Sequence, residues 1–346
     1  MTVETLHCNV STWRVKIKMD LIQKLKKSGL VGRGGAGFPV WKKWEMVKNA
    51  PDKEKYVVCN LSEGEPGVKK DKYILDNYLK ILIEGIEVAM KTVGAQRAVI
   101  ALKDEYHDKL SSIVQEHIGN EKIDIFRKSG GYISGEETAL LEAIEGQRVE
   151  PRTKPPYPTT DGLWHYPTLI NNAETLYSVA LIAHGKYKNE RLISISGDCP
   201  YVGTFSVPED FTIKQVLELS KNIMIYDYFV QVGGGASGTV LNKNQLNRPL
   251  IGMGAIVVHK RDITKVGDLA LKWARFFRDE SCGKCVPCRE GTYRICEILE
   301  SEKPNWDMLY DIFDTMEKTS FCAMGAMVAV PFKSLVDNVL KTDSHG

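Results

Sequence analysis

The sequence predicts three successive regions: an α/β domain with a mostly parallel sheet, a small α+β domain and a helical bundle. In the first region, short apolar strands alternate with amphipathic helices, which is typical of a parallel sheet. The second region has short strands and turns around one helix at 213–219. In the third region, apolar residues recur at helical spacing, which favours a bundle. We place these domains at 28–188, 189–262 and 263–346, after an N-terminal extension of residues 1–27.

The first region should bind a ligand at one edge of its sheet. Its predicted strands are 56–59, 98–102 and 123–126, and its predicted helices are 71–93 and 104–118. Ligand sites in such folds lie just beyond the carboxyl ends of the strands. The turn after the first strand carries Glu63 and Glu65, which are candidate ligand-binding carboxylates. The alternative is that both are solvated turn acids.

A glycine-rich loop precedes this sheet. The segment from Gly29 to Pro39 contains five glycines in eleven residues. Glycine leaves backbone N–H groups bare, and successive N–H groups form a concave site for phosphate. Arg33 adds a fork of donors for the same oxygens, and Phe38 adds a flat apolar face. The loop matches neither the dinucleotide fingerprint nor the phosphate loop, so a simple surface turn is the alternative.

A second candidate segment, 130–138, begins with a glycine pair and contains Ser134, Glu136 and Glu137. Ser134 and Glu137 have the spacing of a capping box, which predicts a helix start. The helix dipole also favours carboxylates at this end. There they can accept hydrogen bonds from ribose or flavin hydroxyls, so a binding role and a capping role are both open.

Polar segments close the first region and open the second. The proline-rich segment 151–158 presents Lys154 and Tyr157 as candidate binding residues. The alternative is that this segment is only a linker. Asn172 is a good N-cap for the helix that follows it.

The strands expected in the second region are 192–196, 202–207, 229–232, 250–251 and 255–259. The stretch 233–238 looks like another phosphate loop, but no helical pattern follows it, so we do not interpret it as one.

Charge and composition narrow the class of protein. The formal net charge of +2 gives no reason to expect nucleic-acid binding. No apolar run approaches the ~18 residues of a membrane span, and residues 1–10 lack the apolar core of a signal peptide. We therefore expect a cytoplasmic protein without direct membrane insertion. Four of its eight cysteines lie between 282 and 296, which favours a metal site over disulfides.

The cysteine spacing predicts an iron–sulfur cluster. Cys282, Cys285 and Cys288 have the C-x-x-C-x-x-C spacing that holds three corners of a 4Fe–4S cluster. We expect the fourth thiolate from Cys322, which lies in a loop between two helices. Cys296 is the other candidate, but it lies along the helix that leads away, and we expect a buried structural thiol. A zinc site is the alternative, although structural zinc sites usually pair two halves.

Seven motifs, in this order, closely resemble one family: GLVGRGGAGFP, CNLSEGEPG, GGYISGEETAL, TKPPYP, INNAETL, ESCGKCVPCREGT and SFCAMG. The family is the FMN- and NADH-binding subunit of respiratory complex I. It includes the related diaphorase subunits of NAD-linked hydrogenases, formate dehydrogenases and bifurcating enzymes. The resemblance covers nearly all of residues 28–346. It implies a flavin domain, a small ubiquitin-like β-grasp domain and a helical bundle that carries a 4Fe–4S cluster.

The resemblance also implies roles for single residues. The loop residues under the flavin and the NADH phosphates would be Gly32, Arg33, Gly34, Gly35 and Gly37. The flavin contacts would be Lys43, Asn60, Glu63, Gly135, Glu136, Asn172 and Thr175. Phe38 and Tyr157 would sandwich the adenine. The residues near the rest of the dinucleotide would be Glu137, Lys154 and, near the nicotinamide, Glu65. The cluster ligands would be Cys282, Cys285, Cys288 and Cys322.

The sequence departs from the family pattern at several positions. Ser62 stands where the family usually has Asp, which removes one charge at the flavin. Trp41 would place a bulky ring near the adenine pocket. Met46 replaces an aromatic residue of that pocket, and Ser134 replaces a cysteine. These departures concern nucleotide affinity and flavin potential rather than the fold.

The function implied is that of an NADH:acceptor oxidoreductase subunit, in which the cofactors carry the chemistry and no side chain need act as acid or base. The alternatives are an NAD+-reducing or bifurcating module of a hydrogenase or formate dehydrogenase, and a degenerate structural subunit. The expected partners are a thioredoxin-like 2Fe–2S subunit and a further iron–sulfur or catalytic subunit, which can attach the protein to a membrane complex. We expect NAD(H) to be preferred over NADP(H).

Overall fold

The computed structural model of this chain describes residues 20–119, 122–250 and 252–341, so most of the predicted N-terminal extension lies outside it. The first region contains the helices α1 (Leu21–Ser28), α2 (Val40–Asn49), α3 (Lys70–Val93), α4 (Asp104–His117), α5 (Glu137–Ile144) and α6 (Ala173–Ala183). Its strands are β1 (Tyr56–Leu61), β2 (Arg97–Lys103), β3 (Ile123–Lys128) and β4 (Thr168–Asn172).

The four strands form a parallel sheet in the order β3-β2-β1-β4, which confirms the predicted α/β class. The apolar strand β1 lies in the interior of the sheet, where its first four residues are buried on both faces. Asn60 of β1 pairs in register with Asn172 of β4. Two amide side chains therefore stand next to each other at the carboxyl edge, where a ligand site is expected in such a sheet.

Helix α3 packs closely against α6 because one of its residues has no side chain. A Cβ atom on Gly85 would lie 2.2 Å from the carbonyl oxygen of Leu176 in α6. Around this contact, Ile74, Leu82 and Ile86 of α3 are fully buried. Each such side chain contributes about 1.5–3 kcal/mol through its burial. This packing holds α3 against α6, the helix that follows β4 at the carboxyl edge of the sheet.

The second region is a five-stranded mixed sheet with one helix. Its elements are β5 (Glu190–Gly197), β6 (Gly203–Pro208), α7 (Ile213–Leu219), β7 (Tyr228–Val232), β8 (Thr239–Asn242) and β9 (Ala255–Lys260). The strand order is β6-β5-β9-β7-β8. The strand predicted at 250–251 was wrong for Leu250, which lies outside any strand, and Ile251 is outside the described residues. Strand β8 was not predicted, because its four residues follow a glycine loop without a clear alternating pattern.

Helix α7 begins with a capping box that offers a test of this domain. The backbone N–H of Gln215 donates to Oγ1 of Thr212 at 3.3 Å, and the N–H of Thr212 donates to Oε1 of Gln215 at 2.8 Å. We expect Thr212→Ala to lower the free energy of unfolding by about 1 kcal/mol, measured by urea denaturation. Thr212→Ser keeps the hydroxyl and should lose much less; equal losses for both variants would contradict the capping role.

The third region is the predicted helical bundle. It consists of α8 (Ile263–Asp279), α9 (Val286–Glu300), α10 (Trp306–Thr319), α11 (Ala323–Met327) and α12 (Ala329–Leu335), followed by a π-helical turn at Val336–Leu340. Its core contains the fully buried rings of Trp273, Phe277, Phe313 and Phe332. The rings of Phe313 and Phe332 stack with their centroids 5.3 Å apart. The helices therefore share one aromatic core beside the α/β domain.

One helical stretch is longer and more apolar than the sequence analysis expected of any segment. Ala323–Leu340 is long enough, at 18 residues with a mean hydropathy of 1.3, to cross a membrane by length and composition alone. Half of it is buried inside the structure, where Phe332, Leu335 and Val339 belong to the bundle core. A core helix passes the same test, so this stretch is weak support for a membrane span.

Candidate functional site

A cavity of about 950 Å³ opens at the carboxyl edge of the parallel sheet, and its walls come from all three regions. The lining residues include every cofactor-binding residue named from the sequence: Gly32, Arg33, Gly34, Gly35, Gly37, Phe38, Lys43, Asn60, Glu63, Glu65, Gly135, Glu136, Glu137, Lys154, Tyr157, Asn172 and Thr175. The second region adds Met253, and the bundle adds Met324 and Met327. The fold thus brings together residues that lie far apart in the sequence.

The glycine loop forms one wall of the cavity with exposed backbone. Its ends are joined by the N–H of Gly32, which donates to the carbonyl oxygen of Phe38 at 2.9 Å. The N–H of Arg33 donates to Oγ1 of Thr175 at 3.0 Å, which ties the loop to α6. Gly35 has a φ of +113°, and a Cβ there would lie 3.0 Å from Cγ of Met253. Only glycine allows the loop to lie this close to the second region.

The guanidinium of Arg33 does not occupy the position expected of a phosphate ligand. It is 3% exposed, with Nη1 donating to Oε1 of Glu209 at 2.8 Å and Nη2 lying 2.6 Å from Oε2. Nη2 also donates to the hydroxyl of Tyr187 at 3.3 Å. The predicted phosphate-binding role of this side chain therefore needs correction: its charge is used to attach the glycine loop to the second region.

A buried charged network beneath the cavity was not predicted from the sequence. The ammonium of Lys70, which is 2% exposed, donates to Oδ1 of Asp71 at 2.9 Å and to Oδ1 of Asn172 at 2.7 Å. It also lies 3.1 Å from a carboxylate oxygen of Glu174. Asn172 is the N-cap of α6, as expected, and it accepts from the N–H of Glu174. The network fixes the Asn172 side chain at the cavity floor.

Glu63 is bonded to the start of α3. Its carboxylate accepts from the N–H groups of Asp71 and Lys72, at 2.7 and 3.2 Å, and from the hydroxyl of Tyr106 at 2.5 Å. It is therefore no solvated turn acid. Burial raises its pKa, and the nearby charge of Asp71 raises it further. Its flavin contact remains a prediction.

Glu65 is held by the glycine-rich stretch 233–238. The N–H groups of Ala236 and Ser237 both donate to its Oε1 at 2.8 Å. These two donors of the stretch are therefore bonded to a carboxylate of the chain itself rather than free for a phosphate. Burial raises the pKa of Glu65 in spite of these donors. Its other oxygen, Oε2, is buried and has no hydrogen-bond partner among the described residues.

The helix that begins in the segment 130–138 has its N-cap two residues beyond the predicted one. Glu136 is the N-cap of α5: its Oε2 accepts from the N–H groups of Thr138 and Ala139, both at 2.9 Å. The hydroxyl of Ser134 donates instead to the carbonyl oxygen of Gly131. The predicted Ser134–Glu137 box was wrong, because the carboxylate of Glu136 is long enough to reach both free N–H groups.

Glu137, the first residue of α5, therefore does not cap the helix. Its carboxylate lies between two lysines. Its Oε2 is 3.0 Å from Nζ of Lys43, and its Oε1 is 3.1 Å from Nζ of Lys154. Burial by itself raises the pKa of Glu137, but the two ammonium groups outweigh it and lower the pKa below its usual value. Glu137 is therefore ionised at neutral pH, in the wall of the cavity.

The predicted cluster cysteines lie at the junction of the bundle and the cavity. Cys285 and Cys322 stand directly before α9 and α11, respectively. Burial raises the pKa of the Cys288 thiol to about 11, and the neighbouring Cys285, Cys322 and Cys282 contribute to that increase. Cys296 is 2% exposed in α9, as expected of a structural thiol. All five are free thiols.

Comparison with known proteins places the chain in a family. Residues 25–181 match the Nuo51 FMN-binding domain, and residues 268–341 match the iron–sulfur binding region of NADH-ubiquinone oxidoreductase F. The F subunit of the NADH-quinone oxidoreductase of Streptomyces coelicolor is 34% identical in an alignment of 361 positions, gaps included. The alignment covers 91% of this chain and 80% of that protein. This chain belongs to the family of NADH-quinone oxidoreductase F subunits.

Other relatives include both quinone oxidoreductase and hydrogenase proteins. The corresponding F subunit of Aquifex aeolicus is 33% identical, with 89% of this chain and 81% of that protein covered. The HndC subunit of the NADP-reducing hydrogenase of Solidesulfovibrio fructosivorans is 29% identical, with 92% and 74% covered. A crystal structure of an NAD+-reducing [NiFe]-hydrogenase matches with a TM-score of 0.84 and 32% identity over 92% of this chain. The chain spans only 61% of that hydrogenase chain.

As a member of this family, the chain is an NADH dehydrogenase-type flavoprotein subunit with FMN, a 4Fe–4S cluster and NAD(H) as cofactors. The cavity fits a flavin nucleotide: its volume is that of a ligand site, and the glycine loop bares its backbone toward it. Ser62 Oγ and Glu65 Oε2, on cavity-lining residues, are buried without a partner among the described residues.

The four predicted cluster cysteines all lie within residues 268–341, the stretch that matches an iron–sulfur binding region, which favours a 4Fe–4S cluster over zinc. Among the described residues, no group of three or more His, Cys, Asp or Glu side chains converges on one metal ion. The four thiols nevertheless lie close enough to affect each other's pKa. Neighbouring thiols that do not converge are expected around a cubane, because each one binds a different iron atom.

One of the family departures, Trp41, differs from expectation in its position, and another, Met46, lies where it was expected. Trp41 is not among the residues that line the cavity; it packs against the α/β core, and the ammonium of Lys26 lies 4.7 Å from its ring centroid. The expected bulky ring at the adenine pocket is therefore absent. Met46 does line the cavity and is 40% exposed, as is Phe38, while Tyr157 is 52% exposed.

Proposed function

We propose that this chain binds NADH and FMN together in the cavity and transfers electrons from NADH, through the flavin, to a cluster held by Cys282, Cys285, Cys288 and Cys322. The observation that carries this proposal is the continuity of the cavity. It extends from the glycine loop to Ala323, Met324 and Met327, immediately after Cys322. This continuity supports a nucleotide site that lies next to the cluster site.

The residues of the chain bind and orient, and the bound cofactors supply hydride transfer and single-electron transfer. The glycine loop offers backbone N–H groups to phosphate, and Asn60 and Asn172 offer amides at the carboxyl edge of the sheet. Phe38 and Tyr157 present exposed rings that can stack on a base. Met324, Met327 and Val330 line the apolar side of the cavity toward the bundle, where they exclude water from the path between the two sites.

A single titration tests the proposed electron path. We expect anaerobic NADH, with no other reductant present, to bleach the flavin absorbance of the full chain and to produce the electron paramagnetic resonance signal of a reduced 4Fe–4S cluster. Flavin that stays oxidised in the presence of NADH would contradict the assignment of the nucleotide site. The NADH-treated protein without a cluster-binding cysteine serves as the control.

The flavin should be FMN, held without a covalent bond. The glycine loop provides for one phosphate group, and the sequence has no Rossmann fingerprint for a larger flavin. Acid precipitation of the protein should therefore release all of the flavin, and chromatography should identify it as FMN. Recovery of FAD, or of flavin only after proteolysis, would contradict this prediction.

The opposite direction of electron flow is the second candidate. It is favoured by the similarity to the NAD+-reducing hydrogenase and to the HndC subunit of the NADP-reducing hydrogenase. The homologues are subunits of multisubunit complexes, and we infer that this chain has a thioredoxin-like 2Fe–2S partner and a further iron–sulfur or catalytic partner. We also infer a cytoplasmic location and a β-grasp fold for 189–262. Identification of co-purifying subunits from the native cells would decide between the two directions.

A further inference from the structure

One buried cation next to the cavity has no part in the arrangement described above. Lys128, the last residue of β3, is only 3% exposed. Its ammonium donates to the carbonyl oxygen of Gly131 at 2.6 Å and to that of Ser62 at 3.4 Å. Among the described residues, no carboxylate forms an ion pair with it. A buried ammonium is costly unless it is paired, so its retention here requires a reason.

The groups that Lys128 contacts belong to the cavity wall. Ser62 lines the cavity, and so does Tyr132, which follows Gly131 directly. Both carbonyl oxygens are neutral acceptors, and a neutral amide side chain can donate to them as well. Only lysine or arginine also supplies a positive charge at this position. That charge lies directly behind the residues that form the cavity wall.

The other charged groups around Lys128 affect its pKa without forming an ion pair with it among the described residues. Lys103 of β2, Asp104 of α4 and Glu280 at the end of α8 are the ones that affect it. Glu280 is already an acceptor, at 2.5 Å, for the N–H of Tyr132. Burial, together with the charge of Lys103, lowers the pKa of Lys128 to about 8, and the opposing effects of Glu280 and Asp104 are included in that value.

We propose that Lys128 is a positioning residue that raises the reduction potential of FMN in the cavity by placing a positive charge behind the wall formed by Ser62 and Tyr132. This inference rests on the proposed function, because it requires FMN in this cavity. Reduction adds negative charge to the flavin, and a nearby cation in a region of low dielectric constant favours the reduced form. Lys128 transfers no proton to the flavin; it acts through its charge.

The test is a spectroelectrochemical titration of FMN in the full chain. We expect Lys128→Met and Lys128→Gln each to lower the ratio of reduced to oxidised flavin at a fixed potential about tenfold, which is about 30 mV for a two-electron couple. Lys128→Arg keeps the charge and should keep most of the ratio. Lys91→Met, which removes an exposed lysine at the end of α3, is the matched control and should change nothing.

The pH dependence of the unmodified protein gives a second readout that needs no variant to fold. Lys128 is charged below its pKa of about 8 and loses its proton above it. The FMN potential should therefore fall more steeply with pH near pH 8, and this extra dependence should vanish in Lys128→Met.

Three outcomes would overturn the inference: an unchanged ratio in both neutral variants, a decrease in Lys128→Met but not in Lys128→Gln, or no steeper region near pH 8. Failure of the unmodified protein to bind FMN would instead refute the proposed function.

Discussion

Cys322→Ala will abolish the 4Fe–4S cluster. A cubane needs four thiolate ligands. Cys322 lies close enough to Cys282 and Cys288 for these thiols to affect each other's pKa, so we expect Cys322 to supply the fourth thiolate. The purified variant should lose the electron paramagnetic resonance signal of the reduced cluster and the associated iron. Its FMN should remain bound, because Cys322 itself is not among the residues that line the cavity.

Cys296→Ala is the matched control for this experiment. Cys296 is a buried free thiol in α9, and the charges that affect its pKa are those of Arg278, Glu300, Asp279 and Arg275 rather than the other cysteines. The variant should therefore keep a full cluster signal. If Cys296→Ala loses the signal and Cys322→Ala keeps it, the assignment of the fourth ligand is wrong.

The parts of this fold that could be predicted from the sequence are those with a local pattern. Helix α7 was placed at its observed bounds because its apolar period and its cap lie within a few residues of each other. The parallel sheet followed from the alternation of strands and helices. The composition of the cavity wall followed from a resemblance that spans several motifs, since spacing alone does not show which loops meet.

The parts that could not be predicted depend on long-range partners. Arg33 looked like a phosphate ligand because it lies in a glycine loop, and its actual partner, Glu209, is 176 residues away. Lys70 was not singled out from the sequence. It is buried because Asn172 and Glu174, about one hundred residues further on, supply its acceptors. No local signal in the sequence indicates either pairing.

The error at the start of α5 has a different cause. Ser134 and Glu137 satisfy the spacing of a capping box, and so the sequence offered a plausible short-range solution. The backbone instead forms a short 3₁₀ turn at Ile133–Gly135, after which Glu136 has the extended conformation of an N-cap. A shift of two residues, from Ser134 to Glu136, transfers the capping role and leaves Glu137 in the wall of the cavity.

Glu137→Gln should raise kcat/KM for NADPH relative to NADH. The resemblance predicts that Glu137 lies near the adenosine ribose, where a carboxylate can accept from the 2′-hydroxyl. An ionised carboxylate there repels a 2′-phosphate by roughly 1–3 kcal/mol, or about tenfold to a hundredfold in affinity. The substitution also frees Lys43 from its ion pair at 3.0 Å, which provides a cation for the added phosphate. Steady-state kinetics with both nucleotides measure the ratio.

Stability and a matched variant separate this role from a structural one. Because Glu136 and not Glu137 caps α5, Glu137→Gln should lower the melting temperature only by the small contribution of its ion pairs with Lys43 and Lys154. Glu45→Gln removes an acid from α2, the helix that carries Lys43, at a position that does not line the cavity. It should leave both the nucleotide ratio and the melting temperature as they are. If Glu137→Gln leaves the ratio of NADPH to NADH unchanged as well, Glu137 serves only to hold Lys43 and Lys154, and the preference for NAD(H) must arise elsewhere in the cavity.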